Sequence, residues 1–276
     1  MDSATGTGAN LYGVWAKWER AKDQLTALHK EVLAFGEKPD AWTIRSQVNH
    51  DAGRYLFKLD PNWGPGLVLY WGAIIGEMVH DVRSALDQLV WQLVLLNGAV
   101  PGRHNKFPIC ADKPAKGFEQ MRREWTDRGD RLRRGELLGV SDQAFTVIER
   151  CQPYHGGNRL LLRWLHKVWN TDKHQHLIPM ALLAEEPSLA LSDGAFIIDK
   201  QPSRFDGNTY VMEGTFGGTR PHPHVDVNPH PPRDIVLDDG VAVIEIVRRT
   251  LQFTMLELLC PLGDLFPGDR GVGLPK

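Results

Sequence analysis

Hydrophobic residues recur at intervals of three and four positions along several segments of the chain, the spacing of one face of an α-helix. In residues 11–35 these positions form an uninterrupted stripe, and Gly36 follows as a plausible helix end. Residues 66–97 form the longest and most apolar segment. We predict that six helices form a bundle: 11–35, 66–97, 115–134, 141–151, 158–174 and 241–259, the last ended by Pro261.

Runs rich in β-branched and aromatic residues predict antiparallel strands elsewhere. Residues 42–59 contain two such runs around a Gly-bearing turn, which predicts a hairpin, and residues 177–240 contain several more, separated by Asp-Gly and Gly-Gly. We therefore predict an α+β fold: a helical bundle with an inserted small antiparallel β-sheet and a C-terminal helix that returns to the bundle. The predicted parts are a disordered tail (1–10), a single domain (11–262) with a helical part (11–176 and 241–259) and a β subdomain (177–240), and an irregular tail (263–276).

The central helix carries a line of polar residues within its apolar sequence. Helical spacing places these residues on one face: Glu77, His80, Asp81, Ser84, Asp87 and Gln88. A buried helix accepts ionisable side chains only where they are paired, bound to a metal or used in chemistry. The polar line therefore marks the first candidate site.

A second polar line lies on the helix predicted at 158–174. His166, Asn170 and His174 follow one another at intervals of four residues, on a helix that is otherwise apolar. We expect the two polar lines to face each other, with a functional surface between helices 66–97 and 158–174.

Composition limits the partners of the protein. The chain has 276 residues, 42% of them hydrophobic and 24% charged, with a formal net charge of −2, so it has no overall attraction to nucleic acid. The Arg122–Arg134 region is a local exception, because its arginines outnumber the acidic residues that lie between them. This region is either a helix face covered with ion pairs or a patch that contacts the phosphates of RNA.

The sequence also favours a soluble, cytoplasmic protein. Cys110, Cys151 and Cys260 form neither a CxxC pair nor a disulfide framework, which is typical of a reducing compartment. Residues 1–10 lack the features of a signal peptide. Ionisable residues interrupt the apolar segment 66–96, so we expect no membrane association.

Four sequence blocks carry a family resemblance. They are Gly-Glu-x-x-His-Asp-x-Arg-Ser-Ala-Leu-Asp at 76–87, Phe-Pro-Ile at 107–109, Gln-Pro-Tyr at 152–154 and Asn-x-Asp-Lys-His at 170–174. In this order they resemble an uncharacterised bacterial family, largely actinobacterial, over residues 60–180. The resemblance implies no known activity. The chain departs from the family pattern at Asp81, where the family has Asn, and at Gln175, where it has Arg.

One chemistry that suits these residues is metal-independent cleavage of RNA. Arg159 and His166, separated by six residues, resemble the loose form of the motif of HEPN-type helical ribonucleases. In such a site His166 or His174 acts as the acid or base, Arg159 or Arg163 stabilises the charge on the phosphate, and Asn170 lies between the histidines.

A second possibility is a transition-metal site. Glu77 and His80 have the Glu-x-x-His spacing of helical-bundle metal proteins, and Asp172, His166 and His174 are further candidate ligands. A second Glu-x-x-His is missing from the helices.

A third possibility is a non-catalytic interaction or structural protein. Glu77, Asp81 or Asp87 would then pair with cations in a buried network that fixes the helices in register. The cations available for such a network are Arg83, Arg159, Arg163 and Lys173, and its supporting members are Asp81, Arg83, Asp87, Asp172 and Lys173.

A separate cluster of histidines lies near the C-terminus. His222, His224, Asp226, Asn228 and His230 occupy alternate positions, as in an extended segment that binds a metal. The prolines between and after them favour a surface loop instead.

Overall fold

A computed structural model describes the protein over most of its length. The described residues are 8–49, 51–127, 131–174, 181–184, 188–191, 196–200, 204–206, 209–217, 225–228, 232–237 and 241–266. The chain divides into two compact units, and the division falls within three of its helices. One unit comprises Met1–Leu25, Gly76–Gln175 and Ile246–Lys276, and the other comprises Thr26–Ile75 and His176–Glu245.

The fold is α+β, as the sequence predicts. Long helices form at the predicted positions because their apolar stripes are buried, whereas many of their charged residues are exposed. The helices are α1 (Tyr12–Gly36), α2 (Pro65–Leu96), α3 (Asp142–Arg150), α4 (Leu160–His174), α5 (Val243–Thr254) and α6 (Cys260–Gly263). Among the described residues, no helix combines the length and the apolarity that crossing a membrane requires.

The first unit is the helical one. The buried residues of α2 within it include Met78, Val82, Leu86 and Leu89, at intervals of three and four. The indole Nε1 of Trp18 on α1 donates to the carbonyl of Leu251 on α5, at 3.2 Å, which ties together parts of the chain that are distant in sequence. Ser141 begins α3 by accepting a hydrogen bond from the backbone N–H of Ala144.

The second unit contains the strands β1 (Trp42–Asn49), β2 (Arg54–Pro61), β5 (Ala181–Ala184), β6 (Ser188–Leu191), β7 (Phe196–Lys200), β8 (Arg204–Asp206), β9 (Thr209–Gly217), β10 (Val225–Asn228) and β11 (Pro232–Val236). They include an antiparallel sheet with strand order β1-β2-β9-β7, in which β8 also pairs with β9. The predicted hairpin is confirmed as β1 and β2, and Tyr55, Phe57, Leu59 and Met212 form the apolar cluster of this sheet. Two further strand pairs are β5–β11 and β6–β10.

The predicted helix at 115–134 is wrong. A short 3-10 helix, Phe118–Arg122, is followed by a hairpin of β3 (Glu124–Thr126) and β4 (Leu132–Arg134). The segment has no apolar stripe to bury, and its opposite charges pair across the two strands instead. Arg134 Nε lies 2.7 Å from Glu124 Oε1, on directly opposed residues.

Two C-terminal predictions also need correction. Pro261 does not end the last helix: a π-helical turn, Met255–Leu259, leads into α6, and Pro261 lies in the first turn of α6, where its missing N–H needs no partner. The histidine-rich segment is not wholly a loop, because Val225–Asn228 pairs with β6 as strand β10. His222, His224 and His230 lie outside the described residues.

Candidate active site between α2, α4 and the Phe107 loop

The acidic residues at the start of the polar line on α2 face α1. Arg20 of α1 binds both carboxylate oxygens of Asp81 through Nε and Nη2, and Lys17 Nζ lies 3.8 Å from the same carboxylate. Gln24 Nε2 donates to Glu77 Oε2 at 2.9 Å. The pair of Arg20 and Asp81, here called the α1 clasp, therefore holds the two helices together.

Arg83 and Asp87 face the loop that carries the Phe-Pro-Ile block. Arg83 Nη2 donates to the carbonyl of Phe107 at 2.7 Å, and the backbone N–H of Phe107 donates to Asp87 Oδ1 at 2.8 Å. Arg83 Nη2 also lies 2.8 Å from Asp87 Oδ1. Both backbone polar groups of the buried Phe107 are thus bound by one turn of α2, and we call this set of contacts the Phe107 clamp.

The geometry of a helix explains why the polar line divides between two partners. Successive residues turn by about 100°, so Asp81 and Asp87, six residues apart, point about 120° away from each other. The line is therefore wide enough to touch α1 on one side and the Phe107 loop on the other.

Burial dominates the electrostatics of the Phe107 clamp. It raises the pKa of Asp87, although Arg83, the N–H of Phe107, Lys106 and Lys173 act in the opposite direction. It also lowers the pKa of Arg83, against the charges of Asp87 and Glu136.

Residues of α4 complete the site. The ring of Trp169 lies 5.2 Å from Arg83 Cζ and 3.3 Å from Lys173 Nζ, measured from the ring centroid, so it contacts cations of both helices. The rings of His166 and Trp169 are 6.2 Å apart. His166 Nε2 lies 3.0 Å from Asn170 Nδ2, so two of the predicted catalytic residues are in contact.

His166 is a half-buried histidine in a positively charged environment. Burial lowers its pKa from the ordinary value, and the charges of Arg83, Lys106 and Lys173 lower it further, so the imidazole is neutral at pH 7. Its Nδ1 is buried and has no hydrogen-bond partner in the part of the chain that the structure describes. A neutral imidazole of this kind can accept a proton from a bound group.

The other predicted site residues lie elsewhere. Arg159 Nε donates to the carbonyl of Arg150, at 2.6 Å, and so binds the end of α3. Arg163, His174, Glu77 and His80 are exposed. The structure therefore brings together His166, Asn170, Arg83, Asp87 and Lys173, and it gives Arg159 a different partner.

Asp172 of α4 lies against Gly76 of α2. A side chain at Gly76 would overlap its carboxylate, so the absence of a Cβ at this position permits the contact. This steric requirement gives the first glycine of the 76–87 block a physical reason.

The Gln-Pro-Tyr block secures the far end of the Phe107 loop. The backbone N–H of Cys110 donates to Oε1 of the buried Gln152 at 3.0 Å, and Gln152 Nε2 donates to the carbonyl of Ile148. The blocks at 76–87 and 152–154 thus both contact this loop, and the block at 170–174 lies against α2 at Gly76. Sequence reasoning missed Lys106, Trp169 and the backbone of Phe107; the ordered blocks were the one signal that pointed to the loop.

Three arginines of the arginine-rich segment are bound to carboxylates. Arg122 pairs with Asp142, Arg133 Nε lies 2.8 Å from Asp127 Oδ2, and Arg134 pairs with Glu124 as described above. These pairs favour the interpretation of 122–134 as an ion-paired surface over that of a phosphate patch.

The described residues contain no metal-ligating cluster. No group of three or more His, Cys, Asp or Glu side chains comes together in them, and Glu77 is bound to Gln24. Burial raises the pKa of the Cys110 and Cys151 thiols to about 11, so both are protonated at neutral pH and are poor nucleophiles.

Comparison of the chain with protein-family models, with curated proteins and with solved structures finds no match. The family resemblance of the four blocks therefore stays a prediction.

Proposed function

We propose that this protein cleaves RNA without a metal ion, with His166 as the proton acceptor. The observation that carries the proposal is the position of His166, a half-buried neutral histidine among the charges of Arg83, Lys106 and Lys173. A histidine in a positive environment suits an anionic substrate, because the cations attract the phosphodiester while the imidazole stays unprotonated.

The reaction requires a proton acceptor and positive charge at one place. His166 Nε2 takes the proton of a ribose 2′-OH, the 2′-oxygen bonds to phosphorus, and the bond from phosphorus to the 5′-oxygen breaks. The 5′-oxygen takes a proton from water, and the hydroxide left behind takes the proton from His166. The products are a 2′,3′-cyclic phosphate and a 5′-hydroxyl. Lys106 and Lys173 stabilise the additional negative charge of the transition state.

Asn170 sets the tautomer that this step needs. Its Nδ2–H donates to His166 Nε2 at 3.0 Å, so Nε2 carries the lone pair that accepts the proton once the 2′-OH replaces the amide. Asn170 is then a positioning residue, and HEPN-type chemistry is retained with Arg83, Lys106 and Lys173 in place of Arg159 and Arg163.

The test is RNA cleavage in excess EDTA. We expect the wild-type protein to cut single-stranded RNA and leave cyclic phosphate ends. His166→Ala should lower the rate by about 10²–10⁴-fold, the usual contribution of a positioned acid or base. Equal cleavage by wild type and His166→Ala would rule out the proposal.

His80→Ala is the matched control. It makes the same substitution at an exposed histidine of α2, so RNA cleavage in EDTA should be unchanged. Cleavage by the wild type that needs added metal, and that His80→Ala lacks, would favour the Glu77–His80 metal site instead.

A non-catalytic interaction or structural protein is the second candidate, favoured by the Phe107 clamp. One turn of α2 binds both polar groups of Phe107, and Gln152 binds Cys110, so the same residues are explained as a device that fixes a loop. This candidate predicts no RNA cleavage by the wild type, together with a large loss of stability when the clamp is removed.

A further inference from the structure

Arg83 and Trp169 carry buried N–H groups that lack acceptors. The Nη2 group of Arg83 serves Phe107 and Asp87, whereas Nε and Nη1 have no hydrogen-bond partner among the described residues, although Arg83 is only 4% exposed. The indole Nε1 of Trp169 has none either. Buried donors without acceptors are rare in folded proteins, so a group of them indicates a ligand that accepts hydrogen bonds.

The side chains that carry these donors are close to each other and to His166. Arg83 Cζ lies 5.2 Å from the centroid of the Trp169 ring, and the ring of His166 lies 6.2 Å from the same ring. They come from α2 and α4, so a ligand that accepts from both would join the two helices. The indoles of Trp42 and Trp164 also lack acceptors, but no cation–π contact places an arginine or lysine over either ring in the described structure.

The charge of the surroundings selects the kind of acceptor. Three cations, Arg83, Lys106 and Lys173, outnumber the two carboxylates Asp87 and Glu136, and Lys106 Nζ lies 3.9 Å from Glu136 Oε1. The excess of one positive charge favours an anion over water or a neutral carbonyl.

We propose that Arg83 and Trp169 form an oxyanion pocket that binds a phosphate group, either as free phosphate or as the terminal phosphate of RNA. A phosphate offers several oxygens, so it can accept hydrogen bonds from the guanidinium and the indole at once. The inference rests on the proposed function in one respect: His166 beside the pocket is the group that acts on a substrate held there.

Calorimetric titration with inorganic phosphate tests the pocket. The full chain is titrated at constant ionic strength, with chloride as the reference anion. We expect one phosphate to bind, and we expect Trp169→Phe, which keeps an aromatic ring but removes the N–H, to weaken binding about tenfold. Lys173→Gln should weaken it as well, and it changes an exposed residue, so the test does not depend on a buried substitution.

Trp164→Phe is the matched control. It makes the same substitution on the same helix, at a buried indole that also lacks an acceptor. Phosphate affinity should be unchanged. Equal losses in Trp164→Phe and Trp169→Phe would overturn the pocket, because they would trace the effect to the packing of α4.

Two further titrations distinguish the sources of the phosphate. Uridine 3′-monophosphate that binds more tightly than inorganic phosphate, while uridine does not bind, identifies the end of an RNA. Binding of inorganic phosphate alone identifies the free ion. Binding of neither overturns the pocket, whatever the RNA assay shows.

The pocket and the proposed function can fail separately. Phosphate binding that Trp169→Phe weakens, without any RNA cleavage, supports the pocket and removes the nuclease. Cleavage that needs His166 but is insensitive to phosphate and to Trp169→Phe supports the nuclease and removes the pocket.

Discussion

The α1 clasp and the Phe107 clamp are two ion pairs on the same helix, and they differ in how completely their donors are satisfied. In the clasp the buried partner is the acid: Asp81 is 0% exposed, and Arg20 binds both its oxygens from a side chain that is 61% exposed. In the clamp the buried partner is the base, and two nitrogens of Arg83 have no acceptor in the described residues. A saturated pair stabilises a fold, whereas an unsaturated one leaves donors for a ligand.

The largest expected effect is on the clasp. Asp81→Ala should lower the free energy of unfolding by roughly 2–3 kcal/mol, because it removes two hydrogen bonds to a charged group and empties the space of a fully buried side chain. Urea denaturation measures the change. Glu77→Ala, at an exposed residue of the same helix, should stay within about 0.5 kcal/mol of wild type. If the two variants are equally stable, the clasp does not hold the helices.

Replacement of Asp87 in the Phe107 clamp should lower the free energy of unfolding by a smaller amount. Asp87→Ala leaves the N–H of Phe107 without an acceptor and the buried Arg83 without its ion pair, and we expect a loss of about 2 kcal/mol in unfolding free energy. Asp87→Asn keeps an oxygen for Phe107 and should be less harmful. A larger loss in Asp87→Ala than in Asp81→Ala would reverse the assignment of the two pairs.

Gly76→Ala tests the packing of α4 against α2 independently of both ion pairs. The new methyl group overlaps the carboxylate of Asp172, so this side chain must leave its position, at a cost of about 1 kcal/mol. Gly66→Ala, in the first turn of the same helix with open space around it, should be neutral or slightly stabilising. Thermal melts compare the two, and equal midpoints would mean that the helices tolerate the displacement.

The smallest effect is the pH dependence that His166 contributes. Its pKa is lower in the folded protein than in the unfolded chain, so the unfolded chain binds more protons as the pH falls through the ordinary value of about 6.5. This contribution to stability is present above that pH and is lost below it. Urea denaturation at pH 7.5 and 5.5 should show a smaller loss for His166→Asn than for wild type. Identical losses would place His166 in an ordinary aqueous environment.

The sequence was enough to predict where the candidate site lies, but it indicated only some of the residues that form the site. The lines on α2 and α4 indicated His166, Asn170 and Asp87, because ionisable residues on apolar helices are exceptional, and Arg83 was predicted as a cation of the ion-pair network. Trp169 was not found, since a tryptophan on an apolar helix has no polar pattern. Its role depends on the cations above its ring.

The local pattern of apolar and turn residues was enough to predict the long helices and the first hairpin, because each of these signals acts over a few residues. It failed at 115–134, where charges at helical spacing pair across a hairpin instead. Charge alone does not select helix over strand, since ion pairs form at close spacings in both.

The sequence by itself determined which residues of α2 are chemically exceptional and which segments are helices, because hydrophobic spacing and charge are local properties. Only the tertiary structure decided which partner each exceptional residue has. Asp81 and Asp87 belong to one polar line, but the turn of the helix directs them to different neighbours, Arg20 and Phe107. One pair therefore became saturated, and the other was left with buried donors beside His166.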